Sequence, residues 1–218
     1  MSRVLIFTGG RLTDWSVSHI RSDDYLIGAD RGAAFLINLG FRPNMAIGDF
    51  DSVTSEQRAH IRSHSDTFEE CDPILKDYTD TELAFQLALD RSPDEIILFG
   101  ALGTRVDHSL ANIHLLLRAA EQGIRCRIID ECNELQATTG ELQITNQDGA
   151  YTYVSLLPLT IEVTGIHLEG FRYPLYNATL TIGQSLGISN ELIGTSGTIR
   201  IRSGALLVIQ SKDNDTVE

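Results

Sequence analysis

The 218-residue chain is short of cysteine, of positive charge and of long apolar runs, and each shortage excludes something. Its cysteines, Cys71, Cys126 and Cys132, are odd in number and have no C-x-x-C spacing. That excludes a disulfide framework and a structural zinc site, and leaves them to be core thiols. The 17 Lys and Arg stand against 30 Asp and Glu, a formal net charge of −13. Nucleic acid and anionic membrane surfaces are bound through basic clusters, and the chain has none, so neither is an expected partner. No apolar run approaches the roughly 20 residues that span a bilayer. The N-terminal run Val4-Leu5-Ile6-Phe7 is too short for a signal peptide and leads to no small-residue cleavage site. It reads as a first strand, and the expected location is the cytoplasm. What remains is an ordinary globular composition, 42% hydrophobic, in a chain long enough to bury a substantial core.

Short apolar runs alternate with helical patterns through the first part of the chain, as they do in parallel α/β sheets. The runs are Val4 to Phe7, Tyr25 to Ala29, Met45 to Gly48, Glu95 to Phe99 and Arg125 to Ile129. Between them, residues 31–39 read as a helix closed by Gly40. Thr79-Asp80-Thr81-Glu82 is a capping box and predicts a helix burying Leu83, Ala84, Leu87 and Ala88. A further helix carries Leu110, Ile113, His114 and Leu117 at helical spacing and stops at Gly123. From about Asn133 the period changes to two, as in Tyr151 to Leu156 and Thr198 to Arg202, between Gly, Asn and Pro turns. The expected architecture is therefore α/β: a mostly parallel, doubly wound sheet domain over residues 1–130, then an all-β sandwich domain over 131–218.

Ligand crevices in open parallel sheets lie at the carboxyl ends of the strands, and here those ends are acidic. Asp30 follows one run, Asp49 and Asp51 follow another in Gly48-Asp49-Phe50-Asp51-Ser52, Asp77 and Asp80 flank a helix start, and Asp107 follows the turn Gly100 to Val106. A single Asp after a strand is ordinarily a turn former; the inference rests on their shared position. Hard carboxylate oxygens suit Mg2+, which combines a few carboxylates with waters and substrate phosphates. Lys76 and Arg105 are the cations beside these acids, and Arg105 has the fork geometry to clamp a phosphate. His108 reads as a helix-start residue. Neither G-x-G-x-x-G nor G-x-x-x-x-G-K-[ST] occurs.

The segments GADRGAAFLINLGFRPNMAIGDFDS, KDYTDTELA, GALGTRVDHSLANIHLL, YPL after Gly170-Phe171, GISNE and SGALLVIQSKD run in order from Gly28 to Asp213. As a set they resemble the bacterial type of thiamine pyrophosphokinase. The resemblance implies Mg2+-dependent transfer of a pyrophosphoryl group from ATP to the hydroxyl of thiamine, giving thiamine diphosphate and AMP. It also implies a homodimer with active sites at the subunit interface, an α/β domain for ATP and metal, and a sandwich domain for thiamine and dimerisation. Carried over by motif, Asp30, Asp49, Asp51 and Asp80 are the metal residues, and Lys76, Asp77, Thr79, Gly103 and Arg105 the ATP contacts. Asp107, Ser189 and Asn190 are the thiamine contacts. Asp107, Arg105 and Asp77 form the catalytic set, with Asp107 as candidate base. The chain departs from the family pattern at Arg31, where Gly is common, and at Ala101 and Thr104, which replace loop glycines. The sole Trp is Trp15, so the Trp that some family members place against thiamine in the β domain is absent, and Phe171, Tyr173 or Tyr176 could substitute.

Two rival readings use the same residues. GDFDSV fits the D-x-D-x-[TV] pattern of haloacid-dehalogenase-type phosphatases, which would make Asp49 a nucleophile. A non-catalytic thiamine or nucleotide binder would keep the fold and form no AMP.

Overall fold

A computed structural model of the chain describes residues 2–71, 78–146 and 148–213. Lys76 and Asp77 lie outside the described residues. The chain divides into two compact units, Met1–Leu115 with Gly123–Glu131, and Leu116–Gln122 with Cys132–Glu218.

The first unit contains β1 (Arg3–Phe7), β2 (Tyr25–Ala29), β3 (Met45–Gly48), β4 (Thr67–Glu70), β5 (Glu95–Phe99) and β6 (Arg125–Ile129). The helices are α1 (Asp14–Val17), α2 (Arg31–Asn38), α3 (Ser55–His64), α4 (Asp80–Asp90) and α5 (Val106–Glu121), of which the last turns, from Leu116, are counted with the second unit. The strands run β4-β3-β2-β1-β5-β6 across the sheet, and their pairings are parallel. Every residue of β1 and β5 is buried, as expected of parallel strands covered on both faces. Leu5 and Phe7 cluster with Leu26, Ile97 and Phe99 beside Leu36 of α2 and Trp15 of α1. Val4 and Ile6 point the other way, and α4 packs against β1, β2 and β3.

The strand order reverses between β1 and β5, and at such a switch point the loops diverge to leave a crevice. Its walls approach so closely that side chains are excluded. A Cβ on Gly10 would sit 2.0 Å from the Gly100 carbonyl oxygen, and one on Gly32 would sit 1.9 Å from that of Phe7.

Helix α4 begins at the predicted cap, where Thr79 Oγ1 accepts the Glu82 N–H at 3.2 Å. Its buried face is Ala84, Phe85, Ala88 and Leu89. Leu83 and Leu87, expected inside, are half-buried because the face turns to admit the larger Phe85. In α5 the expected stripe is also rotated: Leu110 is 51% exposed, whereas Asn112, Leu115, Leu116 and Ala119 are buried. Asn112 is drawn inward because its Nδ2 donates to the Ala101 carbonyl at 2.7 Å. The pattern reading did not anticipate α1, α3 or β4. α3 buries only Ile61, and β4, Thr67-Phe68-Glu69-Glu70, lies at the sheet edge without an apolar run. Of the three expected core thiols only Cys126 is buried; Cys71 and Cys132 are half-buried.

The second unit is antiparallel: β7 (Asn133–Thr138), β8 (Glu141–Thr145), β9 (Tyr153–Pro158), β10 (Glu162–Glu169), β11 (Ala178–Thr181), β12 (Ser196–Arg200) and β13 (Leu206–Ser211). β7-β13-β9 pair in one layer and β11-β10-β12-β8 in another. Alternate residues meet in one core, with Val154, Leu156 and Val208 from the first layer and Val163, Ile166, Leu168 and Ile199 from the second. This is a sandwich.

Gly32→Ala should force α2 off β1 and lower the unfolding free energy by at least about 2 kcal/mol. Gly140→Ala, where a Cβ meets nothing within 4 Å, should change it by less than about 0.5 kcal/mol. Urea titration of both variants checks the pair.

Candidate functional site

The crevice at the switch point is a cleft of about 660 Å3 in the first unit. Its floor is the end of β1, where Thr8 Oγ1 donates to the Gly100 carbonyl at 2.5 Å and Thr8 N to Phe99 O at 2.9 Å. One wall is Asp30 with the start of α2, a second is Tyr78 to Thr81 at the start of α4, and a third runs from Gly100 to Asn112. Of the residues expected from sequence, Asp30, Thr79, Asp80, Gly103 and Arg105 line this cleft.

Asp30 is held in an unusual conformation, φ 50° and ψ −117°. That backbone region is costly for a residue with a Cβ and persists where surrounding contacts impose it. Here the Asp30 N–H donates to Ile47 O at 2.9 Å. Ser52 Oγ donates to Asp30 Oδ2 at 2.5 Å. Asp30 Oδ1 is buried with no hydrogen-bond partner. Burial pushes the Asp30 carboxyl above its ordinary range, against the pull of the Ser52 hydrogen bond, and the Asp80 and Asp49 charges raise it further. A buried carboxylate oxygen without a donor, in the field of two further carboxylates, could hold a cation.

The Asp49-Phe50-Asp51 turn is pinned by its middle residue. Phe50, at φ 53°, is buried and stacks on Phe68 at 4.7 Å. Asp49 is half-buried and accepts the Asp51 N–H at 3.2 Å, while the Asp51 side chain is exposed. Among the described residues no three Asp, Glu, His or Cys side chains are grouped to hold one ion. The expected quartet is thus unequal: Asp49 and Asp80 both act electrostatically on Asp30, and Asp51 faces solvent.

The third wall is a polar stripe. Arg105, His108, Ser109 and Asn112 recur at helical spacing and all line the cleft. Ser109 Oγ accepts the Gly103 N–H and donates to the Arg105 carbonyl, both at 3.1 Å, which fixes the loop. Arg105 Nη2 meets Asp107 Oδ2 at 2.6 Å in an exposed pair. The Arg105 guanidinium holds the Asp107 carboxyl down at about 2, so in this pairing Asp107 is a weak base. Ser109 and Asn112 were not among the expected site residues, although their spacing from Arg105 was a usable signal. Thr8 and Ser52 carried no such signal, since their partners lie 92 and 22 residues away.

In the second unit Ser189 is exposed, at φ 57°, with its N–H donating to Ser155 Oγ at 3.1 Å. Asn190 is buried. Its Nδ2 donates to Tyr173 O at 2.7 Å and its Oδ1 accepts Tyr173 N–H at 3.0 Å. The amide thus splints the Phe171 to Tyr173 segment. Phe171 is a core residue, 2% exposed, and has no free face for stacking. Tyr173 and Tyr176 are exposed.

The raised pKa of Asp30 has a stability consequence. Its protonated form favours the fold at pH below the unfolded carboxyl value of about 3.9, and that contribution is lost as pH rises through the folded pKa. Asp30→Asn should therefore melt higher than the parent at neutral pH without divalent metal, with the gap closing as pH falls below about 4. Thermal melts across pH check this; a lower melting temperature at neutral pH would contradict the repulsion.

Both parts of the chain have counterparts among known proteins. The family model described as thiamin pyrophosphokinase, catalytic domain, matches residues 17–128, and that of the vitamin B1 binding domain matches residues 140–206. The thiamine pyrophosphokinase of Bacillus subtilis is 40% identical over 194 residues, 86% of this chain and 87% of that protein. A crystal structure of the Bacillus subtilis enzyme superposes with a TM-score of 0.89 at 35% identity, covering 97% of this chain and 100% of that one. The thiamin pyrophosphokinase structure from Geobacillus thermodenitrificans gives 0.87 at 35% identity, covering 99% and 100%. With both domains matched in order along one polypeptide, the chain belongs to the thiamine pyrophosphokinase family.

Proposed function

We infer that the chain is an ATP-dependent pyrophosphotransferase that makes thiamine diphosphate and AMP from thiamine and ATP. The observation that carries this is the ordered match of a catalytic and a vitamin-binding domain, with the cleft lying in the first. In the reaction the thiamine hydroxyl oxygen bonds to the β-phosphorus and the bond from that phosphorus to the α-bridging oxygen breaks. AMP departs with the bridging oxygen, and the hydroxyl proton passes to a base. Such transfers depend on positioning and charge neutralisation more than on covalent participation.

The assignment of roles is our own. ATP lies in the cleft with its phosphates among Thr79, Gly103 and Arg105, and Lys76 and Asp77 follow by motif. Asp30 and Asp80 would hold Mg2+, with Asp49 adding charge; the partnerless buried Asp30 oxygen supports this. Mg2+, when bound, neutralises phosphate charge and aligns the transferring group. Arg105 exchanges Asp107 for phosphate as ATP arrives, which frees the Asp107 carboxylate to accept the hydroxyl proton. In the second unit, Asn190 supports thiamine binding by splinting the Tyr173 segment, with exposed Ser189 beside it. The phosphatase reading of Asp49 has no support from the family match, and the turn places Asp49 after β3 and not after β1. The cytoplasm is the compartment we assign, where free cysteines persist.

The second unit also exposes Ile161, Tyr173, Tyr176, Ile182, Leu186 and Ile193. Apolar surface of this extent on one small unit supports a homodimer formed through it. Light scattering should give twice the 24.1 kDa chain mass; a fully active monomer would contradict the shared interface. For the reaction, incubation with ATP, Mg2+ and thiamine should release AMP and no ADP, with activity abolished by a chelator. Release of ADP would replace pyrophosphoryl with phosphoryl transfer.

A further inference from the structure

The residues lining the cleft include two arginines, Arg31 and Arg105, and they differ in one respect. Arg105 is neutralised by Asp107 at 2.6 Å. Arg31 has no carboxylate or hydrogen-bonding partner for its side chain among the described residues. It is exposed, and Gly9 stands beside its stem. A Cβ on Gly9 would meet only Arg31 Cβ at 3.9 Å and Asp30 Oδ2 at 4.0 Å.

Nothing in the fold accounts for an arginine here. It is the first residue of α2, where the aligned peptide dipoles favour negative charge and disfavour a cation. Among the described residues its side chain joins no core cluster and no ion pair that would offset that cost. An anion bound in the cleft would reverse the sign of the interaction, because it would bring negative charge to the guanidinium and to the positive end of the helix together. Arg31 follows β2 and Arg105 follows β5, so the two stand on either side of the carboxyl end of β1.

We propose that Arg31 is a second phosphate anchor, gripping the oligophosphate tail of the nucleotide from the α2 side of the cleft while Arg105 grips it from the α5 side. The proposal rests on the reading of the cleft as the ATP site. Affinity then depends on the number of phosphates, since adenosine and a single phosphate cannot engage both guanidinium groups. The acidic lining makes the second cation useful, because Asp30 and Asp80 would otherwise repel an unmetallated polyphosphate.

The test is calorimetric titration of the full chain in Mg2+ buffer with AMP, with thiamine and with α,β-methylene-ATP, whose bridging carbon blocks the cleaved bond. Arg31→Gly should weaken the ATP analogue by about tenfold or more, the loss of a charge-assisted contact. AMP and thiamine should change by less than about twofold. Arg31→Lys should recover part of the loss, because an ammonium keeps the charge without the fork. Unchanged affinity of Arg31→Gly for the analogue overturns the proposal, as does an equal loss for AMP and the analogue. A parent chain that binds neither nucleotide overturns the site reading and the anchor with it, and is distinguishable because the parent alone shows it.

Discussion

A carboxylate half withdrawn from water, beside two others of the same sign, is the constraint on which the first unit turns. Asp30 reaches this position because its backbone is bent into a left-handed conformation and tied to the end of β3. Ser52 satisfies one oxygen and leaves the other without a donor. Such an arrangement is unfavourable in isolation, since burial and like charge both oppose ionisation. A cation at this carboxylate would relieve it, so under the proposed function the strain at Asp30 and an affinity for metal would have one origin.

The remaining walls supply what that charge needs. Glycines at positions 10, 28 and 32 let β1, β2, α2 and the Gly100 loop approach without intervening side chains. The close approach brings the helix start, the acids and the polar stripe of α5 around one volume. The stripe costs α5 part of its apolar face: Asn112 takes a buried position that a leucine would fill, and its bond to Ala101 O shapes the loop that carries Arg105.

The second unit is organised differently. Its core is apolar and its polar bonds mostly serve the backbone, as when Asn190 is consumed by Tyr173. An amide so committed orders a segment and contributes little direct recognition. Recognition by this unit would then fall to exposed groups held by that framework, such as Tyr173.

Much of this was legible in the residue order. Continuous apolar runs located the parallel strands, because a strand buried on both faces needs an unbroken run. The change to period two marked the antiparallel unit, and the Thr79 cap marked the start of α4. Edge strand β4 and helix α3 were not legible, since each buries too little to impose a pattern. The rotated faces of α4 and α5 were missed because helical spacing defines a stripe but not which of two adjacent stripes faces inward. The sequence by itself determined the element types, their order and the acidic strand ends, all of which depend on neighbours within a few residues. Only the tertiary structure decided that Ser52 serves Asp30 and that Asn190 serves Tyr173. The Ser52–Asp30 and Asn190–Tyr173 bonds join residues 22 and 17 positions apart, where contact is set by packing and not by local propensity.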